Sequence, residues 1–150
     1  AQAAFQAADK ALTSGDLATY QKKLQEAQAA VQRALRALGR RGVADLVDRC
    51  CEHARSFATL LGAEPGVEIL NEVVLNQVLV RFGDDDALTQ AAVKAVQEDG
   101  TCWLSGTVWQ GKAAMRISVS NWRTSDDDVE RSAGAILQAA ARVAGTVRAS

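Results

Sequence analysis

The sequence predicts an α+β fold: a helical hairpin, then the order α-β-β-α-β-β-α, with an antiparallel or mixed sheet and helices packed on one face. Three observations predict it. The opening stretch, residues 2–38, is rich in Ala, free of Pro and patterned at helical and seven-residue spacing. Two later stretches, residues 67–82 and 101–119, alternate apolar and polar residues with a period of two. Segments with apolar residues three and four apart lie before, between and after them. The 150 residues suit one domain, or one with a small appendage. A chain this long buries roughly 70% of its unfolded surface and needs no disulfide or metal to hold a core.

The first helix runs over residues 3–12. Thr13-Ser14-Gly15-Asp16 stops it and restarts the chain, with Gly15 left-handed and Asp16 capping the next helix. That second helix carries a seam: Leu17, Leu24, Val31 and Leu38 at one position, Tyr20, Ala27 and Ala34 at the other. The seam packs on the first helix and the rest of the protein, or it self-associates as a coiled coil. Gly39-Arg40-Arg41-Gly42 breaks the pattern and divides a hairpin, 1–38, from a sheet domain, 39–150. Val43, Leu46, Val47, Cys50, Ala54, Phe57, Ala58 and Leu61 then form one broad apolar face, and Gly62, Pro65 and Gly66 end that helix.

Residues 67–70 predict a short strand and 75–82 a longer one, with Val78, Val80 and Phe82 on one face and Gln77, Leu79 and Arg81 on the other. The acids of Gly83-Asp84-Asp85-Asp86 suit a helix start, where the helix end is positive. Leu88, Ala91, Ala92, Ala95 and Val96 make the buried stripe of a helix that ends at Gly100. Residues 101–108 and 113–119 read as strands joined at Trp109-Gln110-Gly111-Lys112, with Met115, Ile117 and Val119 on one side and Arg116 and Ser118 on the other. Ser125 opens the last helix, with Asp128 standing where a capping box has Glu or Gln. Its inner face is Val129, Ala133, Ile136, Leu137, Ala140 and Val143.

Charge excludes some classes of function. Seventeen Lys and Arg against eighteen Asp and Glu give a net charge of −1, with no basic excess to neutralise a nucleic acid. The apolar runs are too short and too interrupted to cross a membrane, and no secretory signal pattern opens the chain. Three cysteines, an odd number, fit reduced thiols in a cytoplasmic protein better than a disulfide framework. The first residue is Ala1 and the one Met is Met115, so the chain is expected to be trimmed, processed or excised from something longer.

Chemistry-bearing clusters are few. Cys50, Cys51 and His53 lack the convergent paired spacing of a zinc site, and Cys102 is far along the chain, so no metal site is expected. The reading is a buried Cys50 beside a surface His53, and no third group orients that histidine for nucleophilic catalysis. Asp84, Asp85 and Asp86, like Asp126, Asp127 and Asp128, lack the alternation of a calcium loop and read as helix caps. Gly39-Arg-Arg-Gly42 is not a phosphate cradle, because no Lys-Ser/Thr follows and no strand precedes it. Arg116, mid-strand between Met115 and Ile117, is the substrate-contact candidate; otherwise it faces solvent on the open side of the sheet or pairs with an acid. Trp103, Trp109 and Trp122 line a pocket, or bury against a missing domain or second subunit.

Residues from about Leu35 to Val143 resemble the C-terminal small domain of the pyridoxal-phosphate-dependent decarboxylases of the glutamate and aromatic amino acid group. The matching stretches are Leu35-Arg-Ala-Leu-Gly-Arg-Arg-Gly42, Asn71-Glu-Val-Val-Leu-Asn-Gln-Val-Leu-Val-Arg-Phe82, Asp99-Gly-Thr-Cys-Trp103 and Met115-Arg-Ile-Ser-Val-Ser-Asn-Trp122. The last, followed by Thr124 and Asp126 to Val129, is the most specific. In that family the cofactor lysine, its neighbouring histidine and an aspartate for the pyridine nitrogen belong to a large domain. None of Lys10, Lys22, Lys23, Lys94 and Lys112 is preceded by His or sits in such a motif. The resemblance therefore implies no catalytic residue and no cofactor-binding residue in this chain. It also carries over one residue: aminotransferases of the wider fold grip a substrate carboxylate with an arginine on the strand corresponding to that of Arg116.

The first 34 residues do not resemble the segment that precedes this domain in the family. Residues 12–35 look more like a helical tail of some bacterial membrane proteins. Two unrelated pieces suggest a fusion, a recombinant or a designed chimera, in which the hairpin covers surface that a large domain would otherwise cover. Two readings of function follow. One is a non-catalytic folded module built on the decarboxylase small domain. The other is a fragment of a carboxy-lyase that acts on an amino acid only together with a large cofactor-binding domain. A third, weaker reading is a small-molecule binder around Arg116 and the tryptophans. The expected partner is a second copy, through the hairpin or the exposed sheet-domain face, and not a nucleic acid or a membrane.

Overall fold

The computed structural model describes residues 2–147. Its elements are α1 (Gln2–Thr13), α2 (Leu17–Gly62), β1 (Val67–Ile69), β2 (Gln77–Phe82), α3 (Asp86–Asp99), β3 (Ser105–Trp109), β4 (Lys112–Ser118) and α4 (Asp126–Val147). From the second half of α2 onward this is the predicted α-β-β-α-β-β-α order. The chain divides into two compact units, Ala1–Asp45 and Leu46–Ser150.

In the first unit, Gly15 at φ 77° turns the chain between α1 and α2. The Thr19 N–H donates to Asp16 Oδ1 at 3.0 Å, capping α2 as its sequence predicts. Ala8, Ala11 and Ala27 are its buried residues among those described, and Tyr20 and Leu24 are half-buried. Leu17, Val31, Leu35 and Leu38 are exposed. The predicted break at residues 39–42 narrows to one residue. Gly39, at φ 64° and ψ −177°, leaves the helical region, whereas Gly42 stays helical. Only glycine adopts the Gly39 backbone without strain.

In the second unit, one four-stranded antiparallel sheet has the order β1-β2-β4-β3. The alternation read from β2 and β4 decides its faces. Val78, Val80, Phe82, Met115 and Ile117 point into one core with Cys50, Ala54, Phe57 and Leu61 of α2, Ala92, Val93 and Val96 of α3, and Val129, Ala133, Ile136, Ala139 and Ala140 of α4. Helices thus pack on one face of the sheet, as expected. Two strands begin later than predicted. Val74 and Leu75 are exposed and β2 starts at Gln77, while residues 101–104 are irregular and β3 starts at Ser105. The Trp109–Lys112 pair closes a two-residue hairpin whose Gln110 (φ 49°) and Gly111 (φ 80°) both take the positive φ that this turn demands.

The helix ends follow their sequence signals. Asp85 caps α3 by accepting from the Ala87 N–H at 2.9 Å, and Gly100 at φ 77° closes it. At α4 the Ser125 hydroxyl and N–H donate to Asp128 Oδ2 (2.9 and 3.1 Å), and the Asp128 N–H donates back to Ser125 Oγ (3.3 Å). This is a capping box in which Asp replaces the usual Glu. No described helix is long and apolar enough to cross a membrane.

Candidate functional site

Arg116 lies mid-β4 on the sheet face opposite the helices. Its register partners are Leu79 on β2 and Ser105 on β3, and paired residues of an antiparallel ladder share a face. The side chain is exposed, and its Nε donates to Ser105 Oγ at 3.3 Å. A hydroxyl carries no compensating charge, and no carboxylate pairs with Arg116 among the described residues. Nearby on the same face, Trp109 and Lys112 pair at the exposed tip of the β3–β4 hairpin.

The buried arginine of this sheet is Arg81, 6% exposed, which the sequence pattern placed on the outer face of β2 without a role. Its Nη2 donates to the Asp84 carbonyl at 2.6 Å, and its Nη1 to the Asp86 carboxylate and the Ala113 carbonyl. Asp86 Oδ1 also accepts the Ala113 N–H at 3.1 Å. The Arg81–Asp86 pair therefore holds both backbone polar groups of Ala113 on β4. The Arg81 guanidinium, and next the Ala113 N–H, keep the Asp86 carboxyl below the usual carboxylate range. Asp86 does more than favour a helix start. The readable signal is an Arg next to the last residue of a strand, followed within five residues by three acids.

A cleft of about 440 Å³ opens at the other end of β4. Phe57, Leu104, Ile117 and Ile136 floor it, Trp103 walls it, and Ser118, Ser120 and Thr124 line its edge. The tryptophans are not brought together in it: Trp103 lines the cleft, Trp122 carries the Arg123 guanidinium 4.9 Å above its ring, and Trp109 sits at the hairpin tip. All three are exposed. Cys102 also reaches this cleft, where burial pushes its thiol up and the Ser132 hydroxyl partly offsets that push. A raised thiol is mostly protonated and a poor nucleophile near neutral pH.

The cysteine–histidine cluster differs from its sequence reading. Cys50 is in the core as expected, but Cys51 (7% exposed) and His53 (6% exposed) are buried too, so His53 is not a surface residue. Its Nε2 lies 3.3 Å from Asp126 Oδ1, so the first acid of α4 partners a histidine. A single broad stripe misjudged this turn of α2, which is buried on more than the stripe itself. No group of three His, Cys, Asp or Glu side chains converges among the described residues. No described lysine is buried. Lys10, Lys22, Lys94 and Lys112 are exposed, and the half-buried Lys23 pairs with Glu26 at 2.9 Å.

No protein-family model matches the chain. It is 27% identical over 106 residues to histidine decarboxylase of Rattus norvegicus, a match covering 71% of this chain and 16% of that protein. In fold it is similar to the glutamate decarboxylase domain of a diaminobutyrate-pyruvate transaminase and L-2,4-diaminobutyrate decarboxylase from Vibrio parahaemolyticus. There the TM-score is 0.65 at 23% identity, over 75% of this chain and 25% of that one. Catharanthus roseus tryptophan decarboxylase in complex with L-tryptophan gives 0.68 at 16% identity, over 73% and 24%. Rhodiola rosea 4-hydroxyphenylacetaldehyde synthase gives 0.68 at 18% identity, over 72% and 25%. The chain thus spans at most about a quarter of the length of each of these proteins.

Proposed function

Because three quarters of this chain is similar to part of the pyridoxal-phosphate-dependent decarboxylases, we propose that residues 46–147 are a small-domain module of such an enzyme, without catalysis of its own. The observation that carries this reading is the partial span: about three quarters of this chain matches about a quarter of several solved decarboxylases. The lysines supply the second half of the argument. A cofactor lysine must be desolvated so that its amine is neutral and nucleophilic, and each described lysine here faces solvent or pairs with an acid. The cleft beside Trp103 contains no lysine at all. That no described lysine is desolvated supports a module that leaves the cofactor lysine to another domain.

In this reading the chain contributes surface to a decarboxylase. Arg116 is the residue assigned to that contact, because its fork stands exposed on the sheet face opposite the helices and, among the described residues, bonds to a hydroxyl and to no acid. Its role is to orient a carboxylate, of a large domain or of the amino acid held there. A decarboxylase gains nothing by stabilising the carboxylate it must expel, so the large domain's carboxylate is the better partner. Residues 1–34 are read as a segment joined to the module. The chain is read as working in the cytoplasm, consistent with its free cysteines.

The test is a pyridoxal phosphate titration followed by visible absorbance, borohydride trapping and peptide mapping. Weak label spread over surface lysines is the expected result. One lysine trapped at a single equivalent overturns the reading.

A further inference from the structure

We propose that the cleft at the end of β4 binds a small amphipathic carboxylate that carries no amino group. This site is separate from Arg116 and independent of the decarboxylase reading. Arg116 stands on the sheet face opposite the helices, whereas Phe57 of α2 and Ile136 of α4 join Leu104 and Ile117 in the floor of the cleft. At about 440 Å³ the cleft falls within the size range of small-molecule sites.

Its edge is held in place by the chain that leaves β4. Asn76 Nδ2 donates to the Val119 carbonyl at 2.8 Å, and the Val119 N–H donates to the Asn76 carbonyl at 2.9 Å. Further on, Asn121 Oδ1 accepts the Arg123 N–H at 3.0 Å, and the Asn121 carbonyl accepts the Thr124 N–H at 3.1 Å. That turn sets Arg123 at the edge of the cleft, with its guanidinium 4.9 Å above the Trp122 ring. Trp103 walls the cleft yet is 78% exposed, beside floor residues that are at most 6% exposed. A large aromatic surface left in water next to an apolar recess suits the flat apolar body of a ligand.

Charge decides the other end of that ligand. The charged side chains lining the cleft are Arg123, Asp128 and Arg131. Arg131 pairs with Asp128 Oδ1, and Asp128 Oδ2 accepts the Ser125 hydroxyl and N–H, so both oxygens of this acid are engaged. Arg123 differs. No carboxylate pairs with it among the described residues, and stacking on an indole face engages none of its N–H donors. One positive charge is therefore uncompensated, and a guanidinium fork matches the geometry of a carboxylate. The hydroxyls of Ser118, Ser120 and Thr124 at the edge can donate to the same group. An ammonium group has no free acid to meet here and would lose hydration without gaining a partner, which disfavours amino acids and amines. Inorganic phosphate would leave the apolar floor uncovered.

Isothermal titration of the full chain with naphthylacetate, naphthylalanine and naphthylmethylamine tests this. The acid should bind one to one, the amino acid roughly tenfold more weakly, and the amine without saturation. Arg123→Gln should weaken binding of the acid roughly tenfold and Trp103→Ala roughly fivefold. Both variants should keep the wild-type circular dichroism, because both side chains are exposed. Lys22→Gln, which removes one positive charge from the other unit, should leave binding unchanged. A wild type that does not bind the acid saturably overturns the proposal. So does an amine that binds as tightly as the acid, an Arg123→Gln variant that binds normally, or displacement of the acid by an equal concentration of inorganic phosphate.

Discussion

The two units of this chain spend similar apolar patterns very differently. In residues 46–147, side chains three and four apart on α2, α3 and α4 meet alternate side chains of β2 and β4, and the result is a continuous core from Cys50 to Ala140. In residues 1–45 an equally regular seam buries only alanines among the described residues and leaves Phe5, Leu12, Leu17, Val31, Leu35 and Leu38 exposed. Periodicity names the face that is apolar. It does not name what lies against that face, and a two-helix unit has too few elements to surround its own seam.

The comparison breaks most readily at its largest expected effect. Leu61, 0% exposed in the sheet unit, should cost about 2–5 kcal/mol when truncated to Ala, through lost burial and a cavity. The same truncation of Leu38 should stay within about 0.5 kcal/mol of wild type in dilute protein. Urea unfolding of both variants measures this, and equal losses would mean that the hairpin has a core of its own.

Next in size is the Arg81 clamp. Replacing Arg81 with Met leaves the Ala113 and Asp84 carbonyls without their donors and should cost about 1–3 kcal/mol. It also predicts a pH signature. The Asp86 carboxyl is held below its ordinary range, so its contribution is present above about pH 4 and is lost as pH falls through the lowered value. Melting temperature against pH should show a shallower acid limb in Arg81→Met than in wild type. An unchanged limb would mean that Arg81 and Asp86 are not coupled.

Smallest is Arg116→Ala. An exposed arginine that bonds, among the described residues, to the Ser105 hydroxyl should alter stability by no more than about 0.5 kcal/mol. A loss of several kcal/mol in chemical unfolding would make Arg116 a structural residue and remove it from the functional surface.

Much of the sheet unit was legible because each signal was local. The Gln110-Gly111 turn, the Asp85 cap, the Ser125–Asp128 box and the alternation from Val78 to Phe82 each depend on a few consecutive residues. The candidate site was less legible. Arg116 drew attention as a charge within an apolar strand, yet the arginine that is buried is Arg81, whose partners come from the following turn and from Ala113 on another strand. The place of His53 outside the apolar stripe predicts a surface residue, and burial beside Asp126, more than seventy residues away, reverses that.

By itself, then, the sequence determined the element order, the faces of the strands and the helix ends, because torsional preference, period and capping act over a few residues. The tertiary structure alone decided which polar side chains are buried and how far the α2 seam is covered. Those outcomes depend on groups distant in sequence meeting at hydrogen-bond range and on what packs against a given face, which no local pattern encodes.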